Sequence, residues 1–588
     1  MKFTNEELIQ MSNTVRYGAL HAIRSASSGH LGIALGAADI ITGLYAIHLN
    51  LPDDKFVLSA GHGSALLYSV LKLRGYDLPS LESFRKLGGL AGHPEVHTPG
   101  VSTTTGPLGQ GIGNAVGMAF AAKIKNQDSK VYCLCGDGDL MEGVAQESIA
   151  VAGIYNLNNL ILLWDDNGIS IDGKALTDID IPVRMRAAGW EVLKVDGHRF
   201  SEINAAIKWA KKSPRPVFIQ CKTIIGLDSK AQGTAAAHGL EITTEELLEL
   251  EKKFKNINGE KLWAKFPKIY ENISTKEYLY KDVIYNYSDA EFISTRELSG
   301  QYLEKLLPIE PNLIGGSADL SDSTKTLVKS SREITASDFN GNFIHYGVRE
   351  HAMAAIMNGL ALGGLRPYGG TFLVFSDYMR PAMRLSALMG LPVIYILTHD
   401  SIAVGEDGPT HQPIEQLASL RLIPNMNVFR PCNAVEVAAS WGMALAETNK
   451  PSCIILSRQK FKQIKTPDTA EISRGAYIIH ENTKAKITLI ATGSEVPLAI
   501  EVANKINARV VSMPCIEKFR LQDNEYKNKI LSGCVIALEA GTTTNWYEFA
   551  NAVVGIDSFG ASATDTEVYK HFGFDADAIA QNIMKNFQ

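Results

Sequence analysis

The sequence lacks the features that would place the protein outside the ordinary globular class. It has no low-complexity tract and no long tail of one charge, and its 588 residues are 45% hydrophobic and 20% charged. This balance excludes a largely disordered chain. At roughly 100–200 residues per domain, we expect about three or four domains.

An excess of basic charge is also missing. The chain has 57 Lys and Arg residues against 63 Asp and Glu residues, which gives a net charge of -6. Proteins that bind nucleic acid usually carry a basic patch or stripe. We therefore expect no nucleic-acid partner.

Cysteine is sparse and irregularly spaced. The seven cysteines include no Cys-x-x-Cys pair, which is not typical of a disulfide framework or a zinc site. We therefore expect a reducing, cytoplasmic location. Cys133 and Cys135 are predicted to be small buried core residues, because a reactive thiol needs an accessible and electropositive site.

Targeting and membrane signals are absent from the sequence pattern. The first residues, MKFTNEELIQMSN, show no basic region followed by an apolar core, so we expect no secretory signal. The most apolar stretch, residues 31–47, contains Asp39 and three glycines. Because it is also at the short limit for a membrane span, we predict a buried helix there and no membrane partner.

Apolar runs alternate with helical patterns along most of the chain. The runs predict strands within residues 130–139, 159–168, 215–224, 311–320, 342–348, 367–375, 391–400, 451–457, 486–495, 508–514 and 533–540. Residues 110–125 and 200–212 carry apolar side chains at helical spacing. Buried strands that alternate with helices predict parallel sheets covered on both faces. The polar stretch 245–289 is predicted to be a helical subdomain that leads into a linker.

Two predicted strands end in residues that suit a cation and a diphosphate. GDGDLMEG (136–143) follows one strand, and DDNGISIDG (165–173) follows another. Asp137, Asn167 and the carbonyl of Ile169 could complete a Mg²⁺ site with diphosphate oxygens and water. The glycines would let backbone N–H groups approach a phosphate closely. For Gly-Asp-Gly alone, an ordinary turn with a capping Asp is an equal alternative, and the Asn after a second strand favours the cation site.

These segments resemble the transketolase family of thiamine diphosphate enzymes. Gly-Asp-Gly followed by Asn resembles the cofactor-binding motif, and further segments occur in the family's order over nearly the whole chain. They are SSGHLG (27–32), SAGHGSALLY (59–68), GHPE (92–95), TTGPLGQGIGNAVGMA (104–119), GGSADLSDS (315–323), HYGVREHAM (345–353), GGTFLVFSDYMRPA (369–382), THDSIAVGEDGPTHQPIEQLASLR (398–421) and LSRQ (456–459).

The resemblance implies an α/β fold with three domains in a homodimer whose active sites lie between subunits. The implied domains are a diphosphate-binding domain (1–285), a pyrimidine-binding domain (286–465), both with parallel sheets, and a smaller α/β C-terminal domain (466–588). It further implies transfer of a two-carbon ketol group between sugar phosphates, with thiamine diphosphate and Mg²⁺ as cofactors and Ca²⁺ or Mn²⁺ as possible substitutes. No catalytic motif follows Arg458, so we expect the third domain to serve packing or dimer support.

The resemblance also implies which residues hold the cofactor. Glu350 would hydrogen-bond a ring nitrogen of its aminopyrimidine, although sequence alone favours a solvated charge opening a helix over residues 351–362. The other implied contacts are Phe372, Phe375 and Tyr378 around the pyrimidine, backbone groups of Gly106 and Leu108 on the cofactor, Gly138 on the diphosphate, His62 near the cofactor's phosphate and the carbonyl oxygen, and Asp137, Asn167 and Ile169 on the metal. An aromatic cluster at this spacing is otherwise more often plain core.

Histidine suits the proton transfers of ketol transfer, because its charge changes near neutral pH. By resemblance, His30 and His238 would move protons at substrate oxygens, and His93 and His411 would hold hydroxyls beside the reacting carbon. Taken singly, each histidine is more often structural. The remaining implied substrate contacts are Asp407 to the C2 hydroxyl, and Arg296, Ser323, His399 and Arg458 to the phosphate. For Asp407 the alternative is an Asx-turn before Gly408.

Two other functions remain to be compared with ketol transfer between sugar phosphates. One is 1-deoxyxylulose 5-phosphate synthase, which uses pyruvate, and TTGPLGQG and the GHPE histidine argue against it. The other is a catalytically silent homologue, which the presence of Glu350, Asp137 and Asn167 disfavours. In one departure from the family pattern, Leu31 stands where the first histidine loop often has proline. The sequence leaves the effect of this change open.

Overall fold

The structure is a computed structural model that describes residues 3–175, 179–239, 243–269, 292–467 and 470–587. The chain forms two compact units. The first comprises Met1–Thr275, Thr335–Phe339 and Asn358–Gly364, and the second comprises Lys276–Ile334, Asn340–Met357 and Leu365–Gln588.

The first unit is built around a parallel sheet. Its strands are β1 (Lys55–Leu58), β2 (Val131–Gly136), β3 (Leu160–Asp166), β4 (Ile169–Ser170), β5 (Gly173–Lys174), β6 (Glu191–Asp196) and β7 (Val217–Lys222). Five of them pair in parallel in the order β1-β2-β3-β7-β6. β4 and β5 form a separate antiparallel pair. Every residue of β3 is buried, as expected for a strand covered on both faces.

Helices surround this sheet. They are α1 (Asn5–Ala26), α2 (Leu31–Gly36), α3 (Ala38–Gly43), α4 (Ser64–Arg74), α5 (Gln110–Ile124), α6 (Asp137–Met141), α7 (Gly143–Ile154), α8 (Ile181–Ala187), α9 (Phe200–Ala210), α10 (Thr244–Phe254) and α11 (Ile257–Trp263). Short 3₁₀ turns occupy Gly61–Gly63, Leu81–Ser83 and Ala235–Ala237, and a π-helical turn occupies Leu44–His48. The sequence-predicted helices at 110–125 and 200–212 are confirmed by α5 and α9.

The apolar stretch 31–47 is buried as predicted, but it is not one helix. It divides into α2, α3 and the π-helical turn, and Ala37 between α2 and α3 has a non-helical backbone with φ -92 and ψ 4. Among the described residues, no helix has the length and apolar character that a membrane crossing needs. The helical prediction for residues 245–289 is confirmed for α10 and α11, and its later part, 270–289, lies outside the described residues.

The second unit contains two larger sheets. Its strands are β8 (Phe292–Ile293), β9 (Leu313–Ser317), β10 (Phe343–His345), β11 (Arg366–Phe372), β12 (Ile394–Thr398), β13 (Asn427–Phe429), β14 (Ser452–Leu456), β15 (Phe461–Lys462), β16 (Tyr477–His480), β17 (Ile487–Ala491), β18 (Arg509–Ser512), β19 (Cys534–Leu538) and β20 (Ala552–Val554). One sheet is parallel, in the order β10-β9-β11-β12-β14-β13. The other runs β16-β18-β17-β19-β20 and is mixed, because β16 is antiparallel to β18. β8 and β15 form a small antiparallel pair.

The helices of the second unit are α12 (Thr295–Leu306), α13 (Ser321–Thr324), the first part of α14 (Glu350–Leu362), α15 (Ser376–Met389), α16 (Gln416–Arg421), α17 (Ala434–Ala446), α18 (Glu495–Ile506), α19 (Ile516–Arg520), α20 (Asn524–Ile530), α21 (Asp565–His571) and α22 (Ala576–Phe587). The last residues of α14, from Asn358, belong to the first unit. Its 3₁₀ turns are Leu373–Phe375, Ile402–Asp407, Ile472–Arg474 and Thr543–Trp546.

A buried ionic network ties the two larger sheets of this unit together. Arg430, just after β13, donates to Asp400 after β12 at 2.8 Å and also to Glu495 at the start of α18. All three side chains are essentially inaccessible to solvent. Removing the cation would leave the two buried carboxylates without their counter-ion, with the hydrogen bonds from Ser494 and Tyr569 remaining. The network is therefore a strong structural link.

Parallel sheets of five and six strands and a mixed sheet of five strands confirm the predicted α/β fold class. The three predicted domains keep their proposed boundaries as a prediction, and the first boundary, between 285 and 286, lies outside the described residues. All seven cysteines are free, and Cys133 and Cys135 are fully buried as predicted.

Candidate active site

Four histidines of the first unit meet in one cluster. The ring centroids of His30 and His62 are 5.2 Å apart, those of His30 and His238 are 5.6 Å apart, and those of His62 and His238 are 5.3 Å apart. His93 joins at 6.2 Å from His30. The four residues come from four different loops, so the cluster is a product of the fold and not of local sequence.

Glycines allow these loops to approach one another. A Cβ on Gly61 would lie 2.7 Å from the backbone nitrogen of Gly106. That contact places His62 beside the TGPLG loop. Gly106 has φ +144, and a Cβ there would lie 3.4 Å from the His93 ring. A side chain at position 61 would push the loops apart, whereas a side chain at position 106 would strain the backbone.

Burial keeps these imidazoles neutral near pH 7. Burial is the main reason that the pKa of His30 falls to about 4 and that of His62 to about 3. The nearby histidines, which would repel a second positive charge, and for His30 also Arg85, add to this effect. Burial also lowers the pKa of His93 and of His238. A neutral imidazole can accept a proton, so the cluster suits general-base chemistry.

Arg85 is a member of this cluster that the sequence reading did not identify. One guanidinium nitrogen donates to Ser28 Oγ at 2.5 Å, and another lies 3.4 Å from His30 Nδ1. Its backbone is in the left-handed region, with φ +58, which is unusual for a residue other than glycine. A lone arginine outside any matched segment gave no signal in the sequence.

The Gly-Asp-Gly turn follows β2 at the carboxyl end of the sheet. Asp137 begins α6, and its Oδ2 accepts a hydrogen bond from the Gly168 N–H at 3.2 Å. Asn167 is fixed on both sides: its Nδ2 donates to Asp165 at 3.1 Å and its Oδ1 accepts from the Ile169 N–H at 3.0 Å. The turn that carries Asn167 and Ile169 therefore lies against Asp137.

The residues around Asp137 are chemically suited to bind a divalent cation. Asp137 Oδ1 is buried and has no hydrogen-bond partner. Burial, and then the charges of Asp165 and Asp166, raise the Asp137 pKa to about 7. The described residues contain no group of three or more His, Cys, Asp or Glu side chains suited to a metal. The expected set has only one carboxylate, and magnesium accepts amide, carbonyl, phosphate and water oxygens alongside it.

A second aspartate, Asp139, holds together the loops around Asp137. The sequence analysis did not identify it. Asp139 accepts from Ser59 Oγ at 2.7 Å, from the Gly109 N–H at 2.8 Å and from the Gly136 N–H at 3.0 Å. These donors belong to the loop after β1, the TGPLG loop and the end of β2. Gly138 adds to the same contact, because a Cβ there would lie 2.9 Å from Leu108.

Glu350 lies in the second unit at the first position of α14. Only 8% of the residue is exposed. The solvated charge considered as an alternative is therefore wrong for Glu350. Burying a carboxyl group is costly unless it is paired or protonated, so this position indicates a specific role.

An aromatic cluster leads from β11 into α15. The Phe372 and Phe375 rings stack with centroids 5.8 Å apart, and Phe375 lies 6.2 Å from Tyr378. His411 lies 5.4 Å from Phe375, and His399 lies 3.6 Å from Phe372. Tyr378 is 66% exposed in the single chain, so the cluster reaches the surface and is not plain core.

Two arginines of the second unit, Arg296 and Arg458, act electrostatically on His399. Arg296 donates to the Ser323 carbonyl at 2.7 Å, and its buried Nε has no hydrogen-bond partner. Arg458 donates to the Val404 carbonyl at 3.2 Å. Burial, and then the charges of Arg296 and Arg458, lower the His399 pKa to about 3. Repulsion between two guanidinium groups favours an anion between them.

The last two predicted residues lie on the segment after β12. Asp407 is exposed at the end of the Ile402–Asp407 turn. His411 is partly buried, and its Nδ1 lies 2.8 Å from Thr410 Oγ1. Gly408 between them has φ +73, a backbone conformation that favours glycine.

Three sequence families match successive parts of the chain. Residues 8–283 match "Transketolase, thiamine diphosphate binding domain", residues 291–463 match "Transketolase, pyrimidine binding domain", and residues 475–575 match "Transketolase-like TK C-terminal domain". Together these matches cover most of the chain.

Known proteins resemble the chain over nearly its full extent. A transketolase of Sinorhizobium medicae is 42% identical in an alignment of 647 positions, gaps included, that covers 98% of this chain and 93% of that protein. The crystal structure of transketolase from Campylobacter jejuni has a TM-score of 0.89 and 39% identity, with 100% of each chain covered. A Pichia stipitis transketolase complex with sedoheptulose 7-phosphate has a TM-score of 0.89 and 37% identity, with 98% and 97% covered.

The lowered histidine pKa values predict a loss of stability in acid. The folded-state pKa of His62 lies below its ordinary value of 6.5, so the unfolded chain takes up a proton first as the pH falls. Between pH 7 and pH 5, protonation of His62 in the unfolded chain should lower the free energy of unfolding by about 1–2 kcal/mol. Melting temperatures of the native chain and of His62→Asn across this range test this. The variant should lose less stability in acid, and the exposed His571→Asn should behave like the native chain. Equal acid sensitivity of all three would contradict the assignment.

Proposed function

The chain belongs to the transketolase family, and we propose that it transfers a two-carbon ketol group from xylulose 5-phosphate to ribose 5-phosphate. The products are glyceraldehyde 3-phosphate and sedoheptulose 7-phosphate, as in the non-oxidative pentose phosphate pathway. The observation that carries this proposal is the cluster of four histidines, in which the ring centroids of His30 and His238 are 5.6 Å apart. The sedoheptulose 7-phosphate bound to the Pichia stipitis relative supports this substrate class.

The matched families are those of thiamine diphosphate-binding domains, and this cofactor supplies a carbanion-stabilising centre when bound. In our proposal, Asp137, Asn167 and the Ile169 carbonyl hold Mg²⁺, for which Ca²⁺ or Mn²⁺ could substitute. The unpartnered Asp137 Oδ1 supports this ligand set. The proposed contacts to the diphosphate end are His62, Gly106, Leu108 and Gly138.

The second unit would hold the pyrimidine ring of the cofactor. Phe372, Phe375 and Tyr378 present apolar faces for it, and the exposure of Tyr378 in the single chain supports a contact outside the core. Glu350 would hydrogen-bond a ring nitrogen and hold a proton there. Its burial supports this role, because a carboxyl group away from water interacts more strongly with a single partner.

The histidines would handle protons and hydroxyls of the substrate. His30 and His238 would take a proton from the donor hydroxyl and return it at the acceptor oxygen. Their lowered pKa values leave both neutral and able to accept. His93 and His411 would hold the hydroxyls beside the reacting carbon, and Asp407 would bind the C2 hydroxyl of the donor.

The phosphate of the sugar would bind between the two arginines of the second unit. Arg296 and Arg458 offer planar guanidinium groups that can bond two phosphate oxygens each. Ser323 and His399 would complete this subsite. The buried and unpartnered Nε atom of Arg296 supports an anionic ligand.

The proposal includes a cytoplasmic homodimer with active sites at the subunit interface. Large apolar side chains exposed in the single chain support a protein partner, among them Val348 and Tyr378. The seven free cysteines support a reducing compartment.

An assay with purified protein, thiamine diphosphate and Mg²⁺ tests the function. Sedoheptulose 7-phosphate should form from xylulose 5-phosphate and ribose 5-phosphate. Product formation only from pyruvate and glyceraldehyde 3-phosphate would replace the proposal with 1-deoxyxylulose 5-phosphate synthase. No product from either pair would favour a silent homologue.

Arg458→Ala tests the phosphate subsite. It should raise the KM for xylulose 5-phosphate and ribose 5-phosphate about tenfold or more, because a charged hydrogen bond to phosphate is lost. Unphosphorylated hydroxypyruvate and glycolaldehyde should be used nearly as before. Arg458→Lys keeps the charge but lacks the planar guanidinium group, so its KM for the sugar phosphates should lie between those of the native chain and of Arg458→Ala. A similar loss with both kinds of substrate would show that Arg458 does not bind phosphate.

A further inference from the structure

Leu31 joins the two loops that carry His30 and His238. Its backbone N–H donates a hydrogen bond to the carbonyl of Gly239 at 3.2 Å. Each partner therefore directly follows one of the two histidines in the sequence. Leu31 is also the first residue of α2, where a backbone N–H has no partner inside the helix and is available to another segment.

The two loops lie backbone to backbone at this point. The Gly226 N–H donates to the Gly32 carbonyl at 3.0 Å, which gives a second bond between the same segments. A Cβ on Gly32 would lie 2.6 Å from the Ala237 carbonyl oxygen and 2.4 Å from Ile225. One helical turn later, a Cβ on Gly36 would lie 2.9 Å from the Ile224 carbonyl oxygen. The two glycines leave a side-chain-free edge of α2 against residues 224–239.

The Leu31 side chain also stabilises this contact, through apolar packing against α10. It is fully buried in a cluster with Leu247, Leu250 and Phe254 of α10. α10 is the first helix after the His238 loop. Because water is excluded there, the hydrogen bond from the Leu31 N–H is not readily replaced by one to solvent.

We propose that Leu31 is a positioning residue, whose backbone N–H holds the His30 loop against the His238 loop and so fixes the spacing of the two imidazoles. This inference rests on the proposed function, in which both imidazoles act on one substrate. Proton transfer requires heavy atoms within hydrogen-bond reach, and a displacement of about 1 Å can lower a rate as much as 100-fold.

The variants Leu31→Pro and Leu31→Ala distinguish the role of the Leu31 backbone N–H from the role of its side chain. Proline is tolerated at the first helical position, and His30 already has φ -110 and ψ 99, in the extended region that a residue before proline prefers. Both variants shorten the side chain, but only proline removes the donor. Leu35→Ala, in the same cluster and one turn away, is the control for a cavity without a change at the loop contact.

Two measurements on the full chain, reconstituted with thiamine diphosphate and Mg²⁺, test the proposal. In hydrogen exchange, amides of residues 225–239 should exchange about fivefold to tenfold faster in Leu31→Pro than in Leu31→Ala, because a backbone hydrogen bond between the loops is lost. In steady-state kinetics, Leu31→Pro should lower kcat about tenfold or more with the KM for xylulose 5-phosphate changed less than about threefold. Leu35→Ala should keep kcat within about twofold.

Equal exchange rates and equal kcat values in Leu31→Pro and Leu31→Ala would overturn the proposal. So would a loss of kcat in Leu35→Ala as large as that in Leu31→Pro, since it would reflect general destabilisation. If Leu31→Pro does not fold, Gly32→Ala opens the same contact by steric clash and should give the same two effects. If the native chain does not convert sugar phosphates, the proposed function fails while hydrogen exchange still decides whether Leu31 holds the loops together.

Discussion

The buried carboxylate of Asp139 is the interaction on which the first unit's candidate site depends. It accepts hydrogen bonds from Ser59, Gly109 and Gly136, and so joins the loops that carry His62, Leu108 and Asp137. A charge fully out of water is tolerated only when its hydrogen bonds are satisfied. Burial raises the Asp139 pKa above its ordinary value, and these three donors limit that rise. The loops are thus fixed relative to one another before any ligand binds, which is how a site built on a rigid sheet reaches a defined geometry.

The two units divide the chemistry by charge. The first brings together imidazoles kept neutral by burial and a carboxylate oxygen without a partner, which suit proton transfer and a cation. The second brings together guanidinium groups, an aromatic cluster and a buried glutamate, which suit a phosphate and a heteroaromatic ring. Buried polar groups that lack protein partners are costly. Two such atoms, Asp137 Oδ1 in the first unit and Arg296 Nε in the second, belong to residues for which the family likeness implies a ligand.

Much of the fold follows from hydrophobic pattern, and much of the candidate site does not. β3 was predictable because its residues form an unbroken apolar run, whereas β6, EVLKVD, is only partly buried and gave no clear signal. The histidines were found through motifs. Arg85 and Asp139 were missed because their partners come from distant positions, as with Asp139 and Ser59, which are 80 residues apart. Such contacts arise only when parallel strands bring their carboxyl ends to one edge. The hydrophobic pattern likewise did not predict the division of residues 31–47 into short helices, the first of which lies against residues 224–239 through Gly32 and Gly36.

The central claim is that Asp137 and its neighbours form a divalent-cation site that holds thiamine diphosphate. Calorimetric titration of the purified chain with this cofactor tests it without relying on turnover. Binding should be clear with Mg²⁺ and should weaken about 100-fold or more when EDTA removes the metal, and Asp137→Ala should show the same loss even with Mg²⁺ present. The exposed Asp523→Ala should bind like the native chain. Equal affinity with and without the metal, or native affinity in Asp137→Ala, would contradict the claim.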